Sequence, residues 1–361
     1  MSKSVAIVSV KAQEDNLGDI EIRSVLLDWI TSSGIDVLGY RNSMSDSYME
    51  PFLAYPQIRW HENQLRLQAS MLKALARGDR IHFFLAPGPQ VFNSQPAEVA
   101  KFFVSLANAK LASISGGGAH VIGRAFRGSG ASRRPTQALA KLAKTLAVRD
   151  PMSRECIGHL GNICPDLAFY PEKWDTQPKR YAVFCLRETD GLGPRSFDAA
   201  ITAAKESGLD PVFVVQVRRD NALGTAIAAP LGIPVVRWDE QSHAQQLARV
   251  EEIYSQAAVV ISNRLHGLIL GARAGAVPIM VPAEGDTKLE QTLSTAFSSP
   301  TVIPVDAIKA MSSTNWSQIF DQALSPGTRD ALRLDVSTAQ ACLSSLRQRL
   351  ISSLHNNKPP Q

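Results

Sequence analysis

Short apolar runs alternate along this chain with longer segments in which apolar residues recur every three or four positions. The short runs read as buried strands, and the longer spacing reads as amphipathic helix. In the first half the strand candidates are 4–10, 35–40, 80–85, 110–115, 145–149 and 166–170. Between them 19–33, 61–77, 96–107 and 135–144 carry helical spacing, with Leu65, Leu72 and Leu75 among the recurring apolar positions. Near 171–180 the pattern gives way to Pro-Glu-Lys-Trp-Asp-Thr-Gln-Pro-Lys-Arg, a polar stretch twice punctuated by proline that predicts a linker.

A second alternating series follows. Its predicted strands are 181–187, 211–217, 233–237, 258–262, 277–282 and 300–304, and its helices are 196–207, 243–256, 264–275 and 287–296. Alternation of this kind implies a mostly parallel sheet covered by helices on both faces. The expected fold class is therefore α/β, with two Rossmann-like doubly wound domains at 1–175 and 176–325 and a cleft between facing sheet ends. Residues 326–361 form a C-terminal helix and tail. In the helix, 328–355, Ala339, Leu343, Leu346, Leu350 and Leu354 make one apolar stripe that can pack back on the first domain. The tail 356–361 is expected to be disordered.

Composition narrows the class. A length of 361 residues favours two domains, and 45% hydrophobic with 20% charged residues is ordinary for a soluble globular protein. The net charge of +5 leans weakly towards anionic ligands, whereas the lack of any Lys/Arg run longer than a pair argues against nucleic acid. The four cysteines, at 156, 164, 185 and 342, lack zinc-type spacing and read as reduced thiols. The histidines at 61, 82, 120, 159, 243, 266 and 355 form no metal-ligand motif. No stretch approaches the roughly 20 apolar residues of a membrane span, and the apolar run at 5–10 is too short for a signal-peptide core. The expected location is the cytoplasm.

Candidate chemistry centres on Val259-Val260-Ile261-Ser262-Asn263-Arg264-Leu265-His266-Gly267. An apolar strand there runs directly into a helix, so Arg264 and His266 fall where an open α/β sheet puts its ligand crevice. The free N–H groups and positive dipole end of such a helix favour an anion, and a guanidinium adds a two-pronged grip. The plainer alternative is that Arg264 pairs with a structural carboxylate and His266 caps the helix.

Near the N-terminus, Asn16, Gly18 and Asp19 follow the first strand. Gly18 permits close approach of a ligand, and Asp19 is either the helix N-cap or a cleft carboxylate. Arg149, Arg187 and Lys288 are further cations near strand ends. The glycine-rich turns at 86–89 and 115–120, with Gly117 and His120, are expected to line the cleft from the first domain. The second of these turns is misplaced for a dinucleotide loop.

These blocks, taken in order, resemble the polysaccharide pyruvyl transferase family. The resemblance rests on Asn16-x-Gly18-Asp19, Val148-Arg149-Asp150-x-x-Ser153, Pro165 to Phe169 and Leu186-Arg187. It continues through Arg264-Leu265-His266-Gly267, Gly275-x-x-Pro278 and Lys288, and spans roughly 16–290. What it implies is a GT-B-like pair of Rossmann-type domains that moves a pyruvyl group from phosphoenolpyruvate to two hydroxyls of a sugar. The product would be a cyclic ketal in exopolysaccharide or cell-envelope synthesis, and phosphate would be released.

Phosphoenolpyruvate would be the donor substrate, with no separate cofactor and no metal. Arg264 and Arg149 would hold its anionic groups, helped by Lys288, Arg187 and the backbone at Leu265 and Gly267. His266 would act as general acid and Asp19 as base or acceptor-orienting carboxylate, brought together by domain closure. A lipid-linked acceptor would draw the protein to the inner face of the cytoplasmic membrane. Two other readings share these residues: a GT-B nucleotide-sugar glycosyltransferase, and a non-catalytic anion-binding component of a polysaccharide assembly complex.

Overall fold

Two sheets carry the chain in the computed structural model, and every pairing between their strands among the described residues is parallel. The structure describes residues 3–190, 192–193, 195–283 and 285–355. The tail 356–361, expected to be disordered, lies outside the described residues. By contacts the chain divides into one unit of Met1–Glu14, Asp19–Leu167 and Cys342–Gln361, and a second of Asp15–Gly18 and Ala168–Ala341. The polar stretch 171–180 thus falls inside the second unit.

In the first part of the chain the elements are β1 (Ser4–Ser9), α1 (Leu17–Thr31), β2 (Asp36–Tyr40), α2 (Asp46–Met49) and β3 (Ile58–His61). Then come α3 (Gln64–Ala76), β4 (Arg80–Leu85), β5 (Gly88–Phe92), α4 (Pro96–Ile114) and β6 (Gly118–Gly128). The series ends with α5 (Arg133–Leu142), β7 (Ala143–Val148), α6 (Pro151–Cys156) and β8 (Asn162–Ile163). The 8-stranded sheet has the order β3-β2-β1-β4-β6-β7-β8, with β5 paired to β6. Its strand order turns back between β1 and β4, the switch point of a doubly wound sheet.

The second part runs β9 (Tyr181–Cys185), α7 (Asp198–Glu206), β10 (Asp210–Val214), α8 (Asn221–Ala228) and β11 (Val235–Val236). It continues with α9 (His243–Ser255), β12 (Ala257–Ser262), α10 (Leu265–Arg273), β13 (Val277–Met280), α11 (Thr287–Leu293) and β14 (Thr301–Val302). Helices α12 (Val305–Ile308), α13 (Ser313–Leu324) and α14 (Pro326–His355) close the chain. The 6-stranded sheet has the order β11-β10-β9-β12-β13-β14, so its switch point lies between β9 and β12.

The central strands read as continuous apolar runs because both their faces are covered. All of β12 is buried, as are Ala182 to Cys185 of β9. Helix α10 sits close on this sheet because it presents glycines to it. A Cβ at Gly271 would lie 2.4 Å from Val260 Cγ2, and one at Gly267 would lie 2.7 Å from Ser262 Oγ. In the first unit the end of α14 seals the sheet's N-terminal edge. Leu350 and Leu354 are fully buried, Ser4 donates to the Leu354 carbonyl and Arg80 to that of His355. No described helix is long and apolar enough to cross a membrane.

Several expectations need correction. Residues 110–115 are the last turn and a half of α4, which runs on to Ile114, and the strand is β6 further along. Gly117 marks the start of β6, where a Cβ would lie 1.8 Å from the Ile81 carbonyl oxygen. It serves strand packing at the sheet's N-terminal edge and lines no ligand site. His120 is fully buried, its ring stacked on Phe84 and its Nε2 3.1 Å from His82 Nδ1, so it lines no cleft either. The segment 166–170 holds a short 3-10 turn, Leu167–Phe169, instead of a strand. Strands β3, β5 and β8 and helices α2, α8, α12 and α13 have no counterpart in the predicted pattern.

Candidate active site

In the second unit the loops that follow β9, β10, β12 and β13 converge at the carboxyl edge of the sheet, on both sides of its switch point. Asn263 ties two of these loops together. Its side chain accepts from Arg187 N at 2.7 Å and donates to the Arg187 carbonyl at 3.0 Å. Ser262 Oγ accepts from Arg264 N at 2.8 Å and donates to the Cys185 carbonyl. This lattice fixes the turn in which Arg264, in extended conformation, becomes the N-cap of α10 and hands the chain to Leu265.

Arg264 is paired. Its Nε and Nη2 grip the two oxygens of Asp220 at 2.8 and 2.6 Å, with the carboxylate side chain 7% exposed. The plainer alternative, a structural partner, is therefore present, but among the described residues that pair uses one edge of the guanidinium, Nε and Nη2. Burial pushes the Asp220 carboxyl above its ordinary value, while the Arg264 bonds pull the other way. Arg187 donates to Asp286 at 2.9 Å and is partly exposed. Asp286 in turn caps α11 by accepting from Lys288 N, which leaves the exposed Lys288 side chain in the first turn of that helix.

His266 lies half-buried in the first turn of α10. Its ring occupies the space a side chain at residue 18 would need: a Cβ on Gly18 would fall 1.9 Å from His266 Nδ1. The residues 15–18 belong to this unit because they pair with it. Asn16 bridges Val217, Leu17 N donates to the Gln216 carbonyl, and Arg218 N donates to that of Asp15. Gln216 also donates to the His266 carbonyl at 3.4 Å. Asn16, Gly18, Arg264, Leu265, His266, Gly267, Arg187 and Lys288 are thus gathered in one unit.

The other candidates lie in the first unit. Asp19 is buried in the first turn of α1 and accepts from Arg23 Nη1 at 2.8 Å. It is not the N-cap, because Asn16 Oδ1 accepts from Gly18 N and fills that role. Arg149 is buried, and its Nη1 donates to Asp166 at 3.0 Å. Arg127 makes a two-pronged pair with Asp150, whose carboxyl lies below its ordinary value because the Arg127 and Ser153 bonds outweigh burial.

Sequence reasoning missed Asp220 and Asp286, the carboxylates that aim the two arginines of the second unit, and Arg124 in the first. Asp220 stands in Arg-Arg-Asp just past an apolar strand, the same context that singled out Arg264. Arg124 is hidden inside β6, where it donates to the Ala86 carbonyl and to Gln90. Burial, reinforced by Arg23 and Arg149, pulls its guanidinium down to about 9.

Among curated proteins none matches the chain. The solved structures it is similar to share the fold. UGT89C1 of Arabidopsis thaliana complexed with UDP matches with a TM-score of 0.55 at 11% identity, over 98% of this chain and 100% of that one. LpCGTa in complex with UDP matches with a TM-score of 0.53 at 12% identity, over 99% of this chain and 100% of that one. MurG of Acinetobacter baumannii matches with a TM-score of 0.50 at 14% identity, over 98% and 99%. These are GT-B glycosyltransferases, and the two parallel sheets described above are the α/β, Rossmann-like pair of that fold. The model of one family, polysaccharide pyruvyl transferase, matches residues 91–282, which include Arg124, Arg149, Arg187, Asp220, Arg264 and His266. That match covers more than half of the chain, and the protein belongs to the polysaccharide pyruvyl transferase family.

Proposed function

We propose that the protein transfers a pyruvyl group from phosphoenolpyruvate to two hydroxyls of a saccharide, forming a cyclic ketal and releasing phosphate. One observation carries the reading. At the switch point of the second sheet, Asp220 holds Arg264 by one edge so that the remaining donors stand beside the N-terminus of α10. A carboxylate and a phosphate on one small molecule call for such an array of fixed donors. Arg187 and Lys288 add cations from the neighbouring loops.

Ketal formation begins with a proton delivered to the enol methylene carbon, which becomes a methyl group and leaves an oxocarbenium-like centre. His266 is assigned that proton, since an imidazole can carry and deliver one and its ring is held against the backbone at Gly18. The first sugar hydroxyl adds to the cationic carbon and gives up its proton, which restores the acid. The bond to phosphate then breaks, the second hydroxyl adds, and its proton leaves with the phosphate or a nearby carboxylate. Asp19 is assigned to acceptor orientation, with Arg23 bonded to it at 2.8 Å. Arg149 is the less direct candidate, since Asp166 already engages it.

Thermal-shift titration with phosphoenolpyruvate beside uridine diphosphate, phosphate and sulfate tests the donor. A ligand of the folded state at about 100 times its Kd adds roughly 2.7 kcal/mol of stability. The expected result is a shift specific to phosphoenolpyruvate in the wild type and absent from Arg264→Ala and from Arg264→Ala/Asp220→Ala. UGT89C1 and LpCGTa, solved in complex with UDP, show that the fold accommodates a nucleotide in those proteins, so uridine diphosphate is the informative control. A shift with that nucleotide alone would sink the pyruvyl reading.

A further inference from the structure

Helices α3, α4 and α5 cover one side of the first unit's sheet. Their inward residues, among them Leu67, Met71, Ala109, Ala112, Leu139 and Ala140, join a single core. The outward sides of α3 and α4 should then be polar, as on an ordinary surface helix. They are not. Leu65 and Leu72 on α3 are 77% and 51% exposed, and Phe103, Val104 and Ile114 on α4 are 56%, 46% and 80% exposed. These are five of the nine large apolar side chains that stand exposed among the described residues, so the apolar surface is concentrated on two neighbouring helices.

At 3.6 residues per turn the exposed side of α4 is one continuous apolar arc. Ala97, Ala100, Phe103, Val104, Ala107 and Ile114 fill it, with Lys101 and Lys110 at its two edges. Helix α3 repeats the arrangement. Leu65, Ala69, Leu72 and Ala76 share one strip, and Arg66, Lys73 and Arg77 stand alongside. The two strips flank one groove, lined by Gln64 and Leu67 from α3 and by Ala97, Ala100 and Val104 from α4.

Charge is as one-sided as the apolar surface. From Asn63 to Arg149 the chain has 13 Lys and Arg against 2 Asp and Glu, a local charge of +11 in a protein of +5 overall. Asp79 is buried against Arg77 and Glu98 is half-buried against Lys101, so no acidic side chain of this stretch stands exposed. Arg66, Lys73, Lys110, Arg134 and Lys141 are exposed, the last two at α5, which packs beside α4.

Outward apolar side chains ringed by cations fit the face of a bilayer that carries anionic lipid. The apolar groups enter the acyl boundary, and Lys and Arg meet the headgroup phosphates. A second copy presenting the same face would set these cations against one another, and a nucleic acid would leave the apolar arc in water. We propose that the α3–α4 face docks the protein on an anionic phospholipid bilayer. The inference uses no group assigned to pyruvyl transfer and stands apart from that reading.

Vesicle co-sedimentation of the full chain tests it. The vesicles are phosphatidylcholine alone, or phosphatidylcholine with about a quarter phosphatidylglycerol. Phe103→Ser/Ile114→Ser removes apolar groups, and Lys73→Glu/Lys110→Glu reverses charge. Leu334→Ser, at a position 68% exposed on α14, is the control. All these side chains are exposed, so each variant should keep the wild-type melting temperature.

The expected result is partitioning onto the anionic vesicles at least about tenfold stronger than onto phosphatidylcholine. It should fall at least about fivefold in both double variants and stay unchanged in the control. No binding, equal binding to the two vesicles, or a loss as large in the control would overturn the inference. Self-association of the free protein that Phe103→Ser/Ile114→Ser abolishes, read by analytical ultracentrifugation, would also overturn it and give the face to a second copy. Binding of an unstructured RNA that both double variants abolish, without binding to vesicles, would overturn it in favour of nucleic acid.

Discussion

At the scale of single residues, two contacts hold the catalytic assignment. The first is the approach of His266 to Gly18. A methyl group there would fall 1.9 Å from the imidazole nitrogen, so Gly18→Ala must push the ring aside. Overpacking of this kind costs about 1–3 kcal/mol, and the imidazole assigned to proton delivery moves with it. The expected phenotype is a fall of at least tenfold in kcat with little change in KM for phosphoenolpyruvate, read as phosphate release. An unchanged kcat would remove His266 from the proton transfer, or show that its ring position does not matter.

The second contact is the Arg264–Asp220 pair. Removing one member of a buried pair strands the other, at about 3–5 kcal/mol, less here because the arginine side chain is 20% exposed. Arg264→Ala should therefore lower the urea midpoint markedly, and adding Asp220→Ala should restore much of it without restoring the phosphoenolpyruvate response. Such a cycle separates the structural use of one guanidinium edge from the binding use of the other.

At the scale of elements, most of the alternation was legible because parallel strands buried on both faces are short and apolar and stand out from their helices. Strand β12 and helix α10 were readable almost to the residue, since six buried positions end in a polar turn. The errors have physical causes. Lys110 to Ser115 looked strand-like because Leu111, Ala112 and Ile114 crowd together, but Leu111 and Ala112 continue the packed face of α4 while Ile114 stands exposed. The true strand, β6, carries Arg124 and Arg127, charges that a sequence reading assigns to the surface. They are buried because Asp150 and the carbonyl of Ala86 receive them, partners distant in sequence. The same blindness hid Asp220 and Asp286. A lone carboxylate after a strand carries no sign of which arginine it will meet.

The cap of α1 is a local counterpart. The sequence offers Asp19 as a helix N-cap or a cleft carboxylate, and in the fold Asn16 takes the capping role. Asn16→Ala should cost about 1 kcal/mol, the usual value of an N-cap, and should also loosen the strand-like pairing of residue 16 with Val217. A thermal melt checks the first effect. A parallel loss of turnover at temperatures well below the midpoint would tie the second to the placing of Gly18 beneath His266.

For the whole molecule, acid stability depends on two imidazoles remote from the assigned chemistry. His82 and His120 touch through Nδ1 and Nε2 at 3.1 Å in the core of the first unit. Burial pushes His82 down to about 3, with Lys144, Arg80 and His355 adding to the effect, and pushes His120 well below its ordinary value, with His82 and Lys144 contributing. Both are therefore neutral in the fold and titrate near 6.5 when unfolded. Below that pH the unfolded chain binds more protons, so stability rises with pH. The contribution of the neutral pair is fully present above about pH 6.5 and is lost as pH falls towards 3.

Two such groups give a slope approaching about 2.7 kcal/mol per pH unit, so roughly 5 kcal/mol between pH 6.5 and 4.5, the size of the low end of an ordinary stability of roughly 5–15 kcal/mol. Paired carboxylates such as Asp150, whose folded value is depressed, lose their contribution only at lower pH. Asp220, whose folded value is raised, acts with the opposite sign and regains stability as it protonates. Between pH 6.5 and 5 the histidine pair should therefore dominate. Urea midpoints across that window should fall steeply in the wild type and much less in His82→Leu/His120→Leu, even if the double variant starts from lower stability at pH 7. Parallel slopes in the two proteins would show that the pair is not what limits the fold in acid, and would move the search to the carboxylates around Arg127 and Arg149.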